Sequence, residues 1–231
     1  MCLHQMENQF KQIASLIGSP VRAAILWTMI EGKAFTATEL AISADTSPQN
    51  ISMHLARLVQ AGLLRVENHG RHRYYTYSRK EIAYAIEAMA TLMDPSLVKT
   101  SPINDNYPAI KYCRTCYDHL AGKLAVAITE KMLDKKIIVY RKDAMEVSTT
   151  GRIWFTNLNI DIEELKQQRR SFLRPCLDWS ERVYHIAGSL AAALLDKMLS
   201  DDWIRKTRNS RKVIITSNGQ KKLYEHLKLT L

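Results

Sequence analysis

The chain has 231 residues, 46% hydrophobic and 24% charged, which suits an ordinary soluble globular protein of one large domain or two small ones. Its apolar runs fall far short of the roughly 18–20 residues of a membrane span. Its start, "MCLHQMENQFKQ", lacks the basic-then-apolar pattern of a signal peptide. No membrane partner is expected, and a cytoplasmic, reducing location follows as the default. The formal charge of +10 favours a polyanionic partner such as nucleic acid.

Residues 1–93 read as a series of short helices. "ENQFKQIASLI" (7–17) is amphipathic. "SPVRAAILWTMIEG" (19–32) opens with Ser19 as N-cap and Pro20 at the first helical position, and stops near Gly32. "TATELAISA" is a short helix with Thr38 as its expected cap. In "SPQNISMHLARLVQAGLL", Ser47 caps, Pro48 begins the helix, Ile51, Leu55 and Leu58 form one buried face, and Gly62 ends it. "LLRVENHGRHRYYTYS" gives two β-prone arms with Gly70 at the tip, and "RKEIAYAIEAMATLM" returns to a helical period.

Short helix, tight turn, second helix and β-hairpin make a winged helix-turn-helix. The stretch "SPQNISMHLARLVQAGLLRVENHGRHRYYTYS" resembles the winged-helix region of the ArsR/SmtB bacterial repressors, and the likeness spans roughly residues 16–93. The C-terminal half resembles a long-chain branch of that family, carrying "CYDHLAG" and "CLDWSER" segments. The resemblance implies a DNA-binding repressor that reads a near-palindromic operator as a homodimer. The usual sensor positions of the family, in the helix before the recognition helix and in the last helix, hold no cysteine or histidine here. Any effector is therefore expected to act on the C-terminal half.

On the helix over 48–61, Gln49, Asn50, Ser52, Met53 and Ala56 lie opposite the apolar face, short side chains suited to a major groove. Gln49 and Asn50 are candidates for base edges. Ser47, Ser52, His54 and Arg57 are candidates for phosphates, as are Arg71 and Arg73 on the wing for a backbone or minor groove. The dimer is expected on the flanking helices, through Phe10, Ile13, Ile17, Ile82, Ile86, Met89 and Met93.

Residues 94–110, with Pro95, Pro102 and Pro108, read as a linker. Residues 111–231 contain a duplication. At an offset of 66, "HLAGKLAVAITEKMLDKKI" lies over "HIAGSLAAALLDKMLSDDW" with nine of nineteen positions identical. Two winged-helix-like repeats, about 116–158 and 182–228, are expected, so the fold class is mainly α with small β-wings (α+β). The run "RKTRNSRK" (205–212) falls between β-arms of the second copy and is either a further DNA contact or a solvated loop.

The cysteines are Cys2, Cys113, Cys116 and Cys176. Read as helix starts, "CYDHLAG" and the segment near Ser180 would bring Cys116, His119, Cys176 and His185 around one point, with Asp178 as an alternative ligand. Thiolate and imidazole suit zinc or a softer divalent ion such as cadmium. Three other readings stay open: a reversible Cys116–Cys176 disulfide, a Cys113–Cys116 redox pair, and scaffold, with His119 and His185 as matching helix-start residues. Trp154, Phe155, Trp179 and Trp203 with Met132 and Met198 could instead line a pocket for an organic ligand. No catalytic triad or phosphate loop is visible, so no enzyme is expected. The expectation is a repressor released by a metal, redox or small-molecule effector. Its rival is a constitutive DNA-binding protein whose C-terminal repeats serve assembly.

Overall fold

The computed structural model describes residues 3–69, 72–94, 109–142, 144–208 and 210–231. Cys2, Gly70, Arg71 and the connector at 95–108 therefore lie outside the described residues. The fold is mixed, 52% helical with small antiparallel sheets, and the chain divides into two compact units, 1–89 and 90–231. Among the described residues no helix is long and apolar enough to cross a membrane.

The first unit runs α1 (Leu3–Ile17), α2 (Pro20–Thr28), a 3-10 turn at Met29–Glu31, β1 (Phe35–Thr36), α3 (Ala37–Ser43), α4 (Pro48–Gln60), β2 (Leu64–His69), β3 (His72–Tyr77) and α5 (Lys80–Ala90). Pro20 and Pro48 sit where their missing N–H costs nothing, at the first residue of α2 and α4. Gly32 stops the first of these segments at φ 78°, a left-handed conformation that suits glycine. The cap of α3 is Thr36, not Thr38. Glu39 lies three residues after Thr36, so its carboxylate accepts the Thr36 N–H at 2.7 Å while the Thr36 hydroxyl accepts the Glu39 N–H at 3.3 Å.

Ile51, Leu55 and Leu58 of α4 are buried, as are Ile25 and Leu26 of α2 and Leu40 of α3, the helices on which α4 packs. Each such side chain contributes about 1.5–3 kcal/mol by leaving water. The wing is a three-stranded sheet in the order β1-β3-β2, with β2 and β3 paired from Leu64–Tyr77 to His69–His72. Helix α1 buries none of its residues; Leu3 is 87% and Phe10 72% exposed. Ile82 and Ile86 of α5 are buried, whereas Met89 stays exposed.

The second unit contains α6 (Ala109–Tyr112), β4 (Arg114–Cys116), β5 (His119–Ala121), α7 (Lys123–Asp134), β6 (Ile138–Arg141), β7 (Ala144–Val147), α8 (Thr149–Asn157) and α9 (Ile162–Lys166). It continues with β8 (Arg174–Leu177), β9 (Tyr184–Ala187), α10 (Ser189–Ser200), β10 (Ile204–Lys206), β11 (Val213–Ile215) and α11 (Ser217–Leu227). Hairpin, helix, hairpin, helix thus occurs twice. "CYDHLAG" and "YHIAG" are strands, not the helix starts expected from their spacing. The helices begin one residue after Gly122 (φ 88°) and Gly188 (φ 101°). A Cβ at Gly122 would lie 2.4 Å from the Lys111 carbonyl oxygen, so strand turns to helix where only glycine fits.

The two copies embrace reciprocally. Helix α7 packs on β9, and α10 on β5. The Ile186 N–H donates to the Thr129 hydroxyl at 3.1 Å, fastening one copy's strand to the other's helix. Met132, Phe155, Met198 and Trp203, proposed above as a ligand pocket, are at most 3% exposed and fill the shared core. Trp179 stacks instead under Arg114, whose guanidinium carbon lies 4.9 Å from the ring centroid. In the basic run, Arg205 pairs with Asp202 at 2.6 Å across an exposed turn.

Candidate functional site

Two groups of residues stand out, one in each unit. In the first, α4 presents Ser47, Gln49, Ser52, Met53, Ala56 and Arg57 to solvent. Several are already oriented by local bonds. Ser47 Oγ accepts the Asn50 N–H at 3.2 Å, and Ser52 Oγ donates to the Pro48 carbonyl at 2.8 Å. Asn50 is half-buried, and its amide donates to Thr46 Oγ1 at 2.7 Å. Gln49, Met53 (46% exposed) and Arg57 are the longest of the exposed side chains.

His54 departs from the expected set. It is buried, with Nδ1 3.4 Å from an Arg22 nitrogen. Burial, then the Arg22 and Arg57 charges, push its pKa below the ordinary histidine range. A neutral, inward ring packs the helix and does not reach a phosphate. On the wing, Arg73 is exposed with its guanidinium 6.0 Å from the Tyr75 ring centroid.

In the second unit, four side chains from two hairpins converge. Cys116 and His119 are directly opposite in the β4–β5 register, and Cys176 and His185 in β8–β9. Directly paired residues share one face of a hairpin, so each hairpin offers one thiol beside one imidazole. One ligand atom from each of Cys116, His119, Cys176 and His185 lies within 4.8 Å of the others. The imidazoles are 2% and 1% exposed, and their Nε2 atoms stand 3.1 Å apart. The thiols are half-buried. Cys113 is not part of this group. It is fully buried in the core, and burial pushes its thiol up to about 12, only partly countered by Arg114. The Cys113–Cys116 pair is therefore split between core and cluster.

A buried ionic network supports the cluster. Arg114, 1% exposed, donates to both oxygens of Asp178 at 3.1 and 3.0 Å and to Ser180 Oγ at 3.2 Å. Asp178 also accepts the Gly122 N–H at 2.6 Å, the Ser180 N–H at 2.9 Å and the Glu181 N–H at 3.1 Å. Burial pushes the Asp178 carboxyl up, but the Arg114 charge, the Ser180 and Gly122 donors and the His185 ring outweigh it and hold it at about 2. With both oxygens so engaged, Asp178 is a poor first ligand, contrary to the alternative considered from sequence. Asp118, at the matching place in the other hairpin, lies 3.3 Å from His119 Nδ1 and accepts from Arg170.

Arg114 was missed by the sequence reading, and a signal for it exists. "RTCYD" (114–118) and "RPCLD" (174–178) match at an offset of 60, whereas the histidines match at 66. The second hairpin holds six more residues between its paired cysteine and histidine, 177–184 against 117–118. The single offset of 66 paired Cys116 with Arg182; its structural counterpart is Cys176.

Comparison with known proteins gives three kinds of likeness. Residues 17–67 match a helix-turn-helix domain family. Over 226 residues the chain is 36% identical to an uncharacterized HTH-type transcriptional regulator, YdfF, of Bacillus subtilis (strain 168), covering 98% of this chain and 100% of that one. Among solved structures, HlyU from Vibrio cholerae N16961 is 22% identical over 39% of this chain and 97% of its own, with a TM-score of 0.37. A homodimeric winged helix-turn-helix fragment, Mb0332 from Mycobacterium bovis, is 17% identical over 44% and 93%, with a TM-score of 0.38.

Proposed function

From the premise that the chain belongs to the HTH-type transcriptional regulators, a family of DNA-binding proteins, we propose that it is a homodimeric cytoplasmic repressor. In this reading it grips a near-palindromic operator, and a soft divalent metal ion held by its second unit releases it. Gln49 and Met53 face the major groove, Ser47, Ser52, Arg57 and Arg73 contact phosphates, and Asn50, tied to Thr46, has a more restricted reach. The exposed apolar stripe of α1, Leu3, Met6, Phe10 and Ile13, supports self-association, since four such side chains in water on one helix favour a partner surface. Two-fold symmetry of the dimer then requires two-fold symmetry in the DNA.

The observation that carries the metal reading is the convergence of two half-buried thiols and two buried imidazoles at one place. Zinc bonds of about 2.1 Å to nitrogen and 2.3 Å to sulfur give tetrahedral edges of roughly 3.3–3.8 Å. The 3.1 Å between the Nε2 atoms and the 4.8 Å ceiling on the set accommodate those edges. Cys116, His119, Cys176 and His185 would hold the ion, which when bound supplies a positive charge that draws the two hairpins together. An ion regulates DNA affinity only by binding one conformation of the protein more tightly than another. The test is the metal content of freshly purified, reduced protein beside Cys116→Ser. One zinc per chain in the first and a marked deficit in the second supports the reading; metal-free wild type that takes up no added zinc or cadmium overturns it.

A further inference from the structure

Two carboxylates remain beside the cluster with no role as ligands. They occupy equivalent places, Cys116-Tyr117-Asp118 and Cys176-Leu177-Asp178. We propose that Asp118 and Asp178 are positioning residues of the metal centre, each drawing the Nδ1–H of its own hairpin's histidine and so turning both Nε2 lone pairs toward the ion.

The inference rests on the metal reading above and assigns the residues that tune it. Each histidine has one nitrogen facing the centre and the other facing a carboxylate. His119 Nδ1 lies 3.3 Å from Asp118 Oδ1, and His185 Nδ1 lies 3.6 Å from Asp178 Oδ2. The second distance is just beyond a hydrogen bond, and His185 Nδ1 is buried with no other hydrogen-bond partner. A shift of a few tenths of an ångström would satisfy it. The carboxylates are themselves fixed, Asp178 by Arg114 and three backbone N–H groups, Asp118 by Arg170. These bonds hold both carboxylates beside the imidazoles. With a proton on each Nδ1, two lone pairs confront each other across 3.1 Å, an arrangement that a cation between them stabilises. Histidine ligands in metal sites are commonly held this way, and losing the outer partner typically costs about 10–100-fold in metal affinity.

Asp118 offers the cleaner test, because its side chain is 28% exposed and Asp178 also anchors the fold. Zinc affinity of the full chain would be measured by competition with a chromophoric chelator for wild type, Asp118→Ala and Asp118→Asn. Thermal unfolding of each metal-free form controls for structure, and long-range 1H–15N correlation identifies the histidine nitrogens. The expected result is a 10–100-fold weaker affinity for Asp118→Ala with unchanged metal-free unfolding. Asp118→Asn, whose amide oxygen still accepts, should recover part of the loss. The zinc form of wild type should show both histidines protonated on Nδ1 and ligated through Nε2. Wild-type affinity in Asp118→Ala, or ligation of His119 through Nδ1, overturns the inference alone. A wild type that binds no zinc overturns the metal reading and this inference with it.

Discussion

Replacing Arg114 by alanine should destabilise the second unit more than most single changes to the chain. Arg114 and Asp178 are 1% and 0% exposed in their side chains and 3.0 Å apart, so the substitution leaves a carboxylate buried without its counter-charge. Breaking a buried pair in this way costs about 3–5 kcal/mol. Here the lower half of that range is expected, because the Gly122, Ser180 and Glu181 N–H groups still donate to Asp178. Loss of the guanidinium from the face of Trp179, 4.9 Å away, adds to it. For a unit of this size about 3 kcal/mol lowers the midpoint by roughly 6–12 °C. Tryptophan fluorescence is a suitable probe, since Trp154, Trp179 and Trp203 all lie in the second unit and only Trp27 in the first. The pair also has a pH signature. The Asp178 carboxyl is held at about 2, below its unfolded value of about 3.9, so its stabilisation is complete above pH ~4 and fades as pH falls toward 2. Across that window wild type should lose about 2–3 kcal/mol that Arg114→Ala, already deprived of the main stabilising charge, loses less of. A variant melting within about 1 °C of wild type would refute the reasoning.

Five further outcomes are expected. Gly188→Ala should cost more than about 1 kcal/mol in thermal unfolding, because its φ is 101° and a Cβ would lie 2.6 Å from the Phe172 carbonyl oxygen. In fluorescence anisotropy with operator DNA, Gln49→Ala should cost about 1–3 kcal/mol at one base position. Arg73→Ala should weaken all sequences alike and reduce the salt slope by about 1. His54 has a folded pKa below its unfolded value of about 6.5, so the first unit's stability should be flat above that pH and fall below it. His54→Gln should remove that fall in urea titrations from pH 8 to 5. In reduced, metal-free native protein at pH 8, mass spectrometry should find iodoacetamide on Cys116 and Cys176 while Cys113, pushed up to about 12 in the core, stays unmodified.

The first unit was legible because its signals are local. Ser19-Pro20, Ser47-Pro48 and Gly32 mark helix ends, and Ile51, Leu55 and Leu58 give a clear inner face. Two readings failed for want of competing detail. Thr38 was taken as a cap although Thr36 has Glu39 at the spacing of a capping box, and His54 was assigned to phosphates although it lies three residues after Ile51 and four before Leu58, on the buried side. In the second unit the four residues expected around one point do converge, but from strands and not from helix starts. A spacing of three between Cys116 and His119 suits one helix face and equally the two arms of a tight hairpin; Gly122 and Gly188 decide for the hairpin. Arg114 could not be recognised while the duplication was read at one offset, because the added six residues lie inside the second hairpin and separate Cys176 from His185 by nine positions, against three in the first.

In the proposed function a metal ion in the second unit controls DNA affinity. The direct measurement is the affinity of reduced, metal-free full-length protein for its operator, with and without one equivalent of zinc or cadmium, beside Cys116→Ser. At least a tenfold loss of affinity is expected on metal addition in wild type, about 1.4 kcal/mol of coupling, and none in the variant. Equal affinity in all cases would contradict it and leave a constitutive DNA-binding protein.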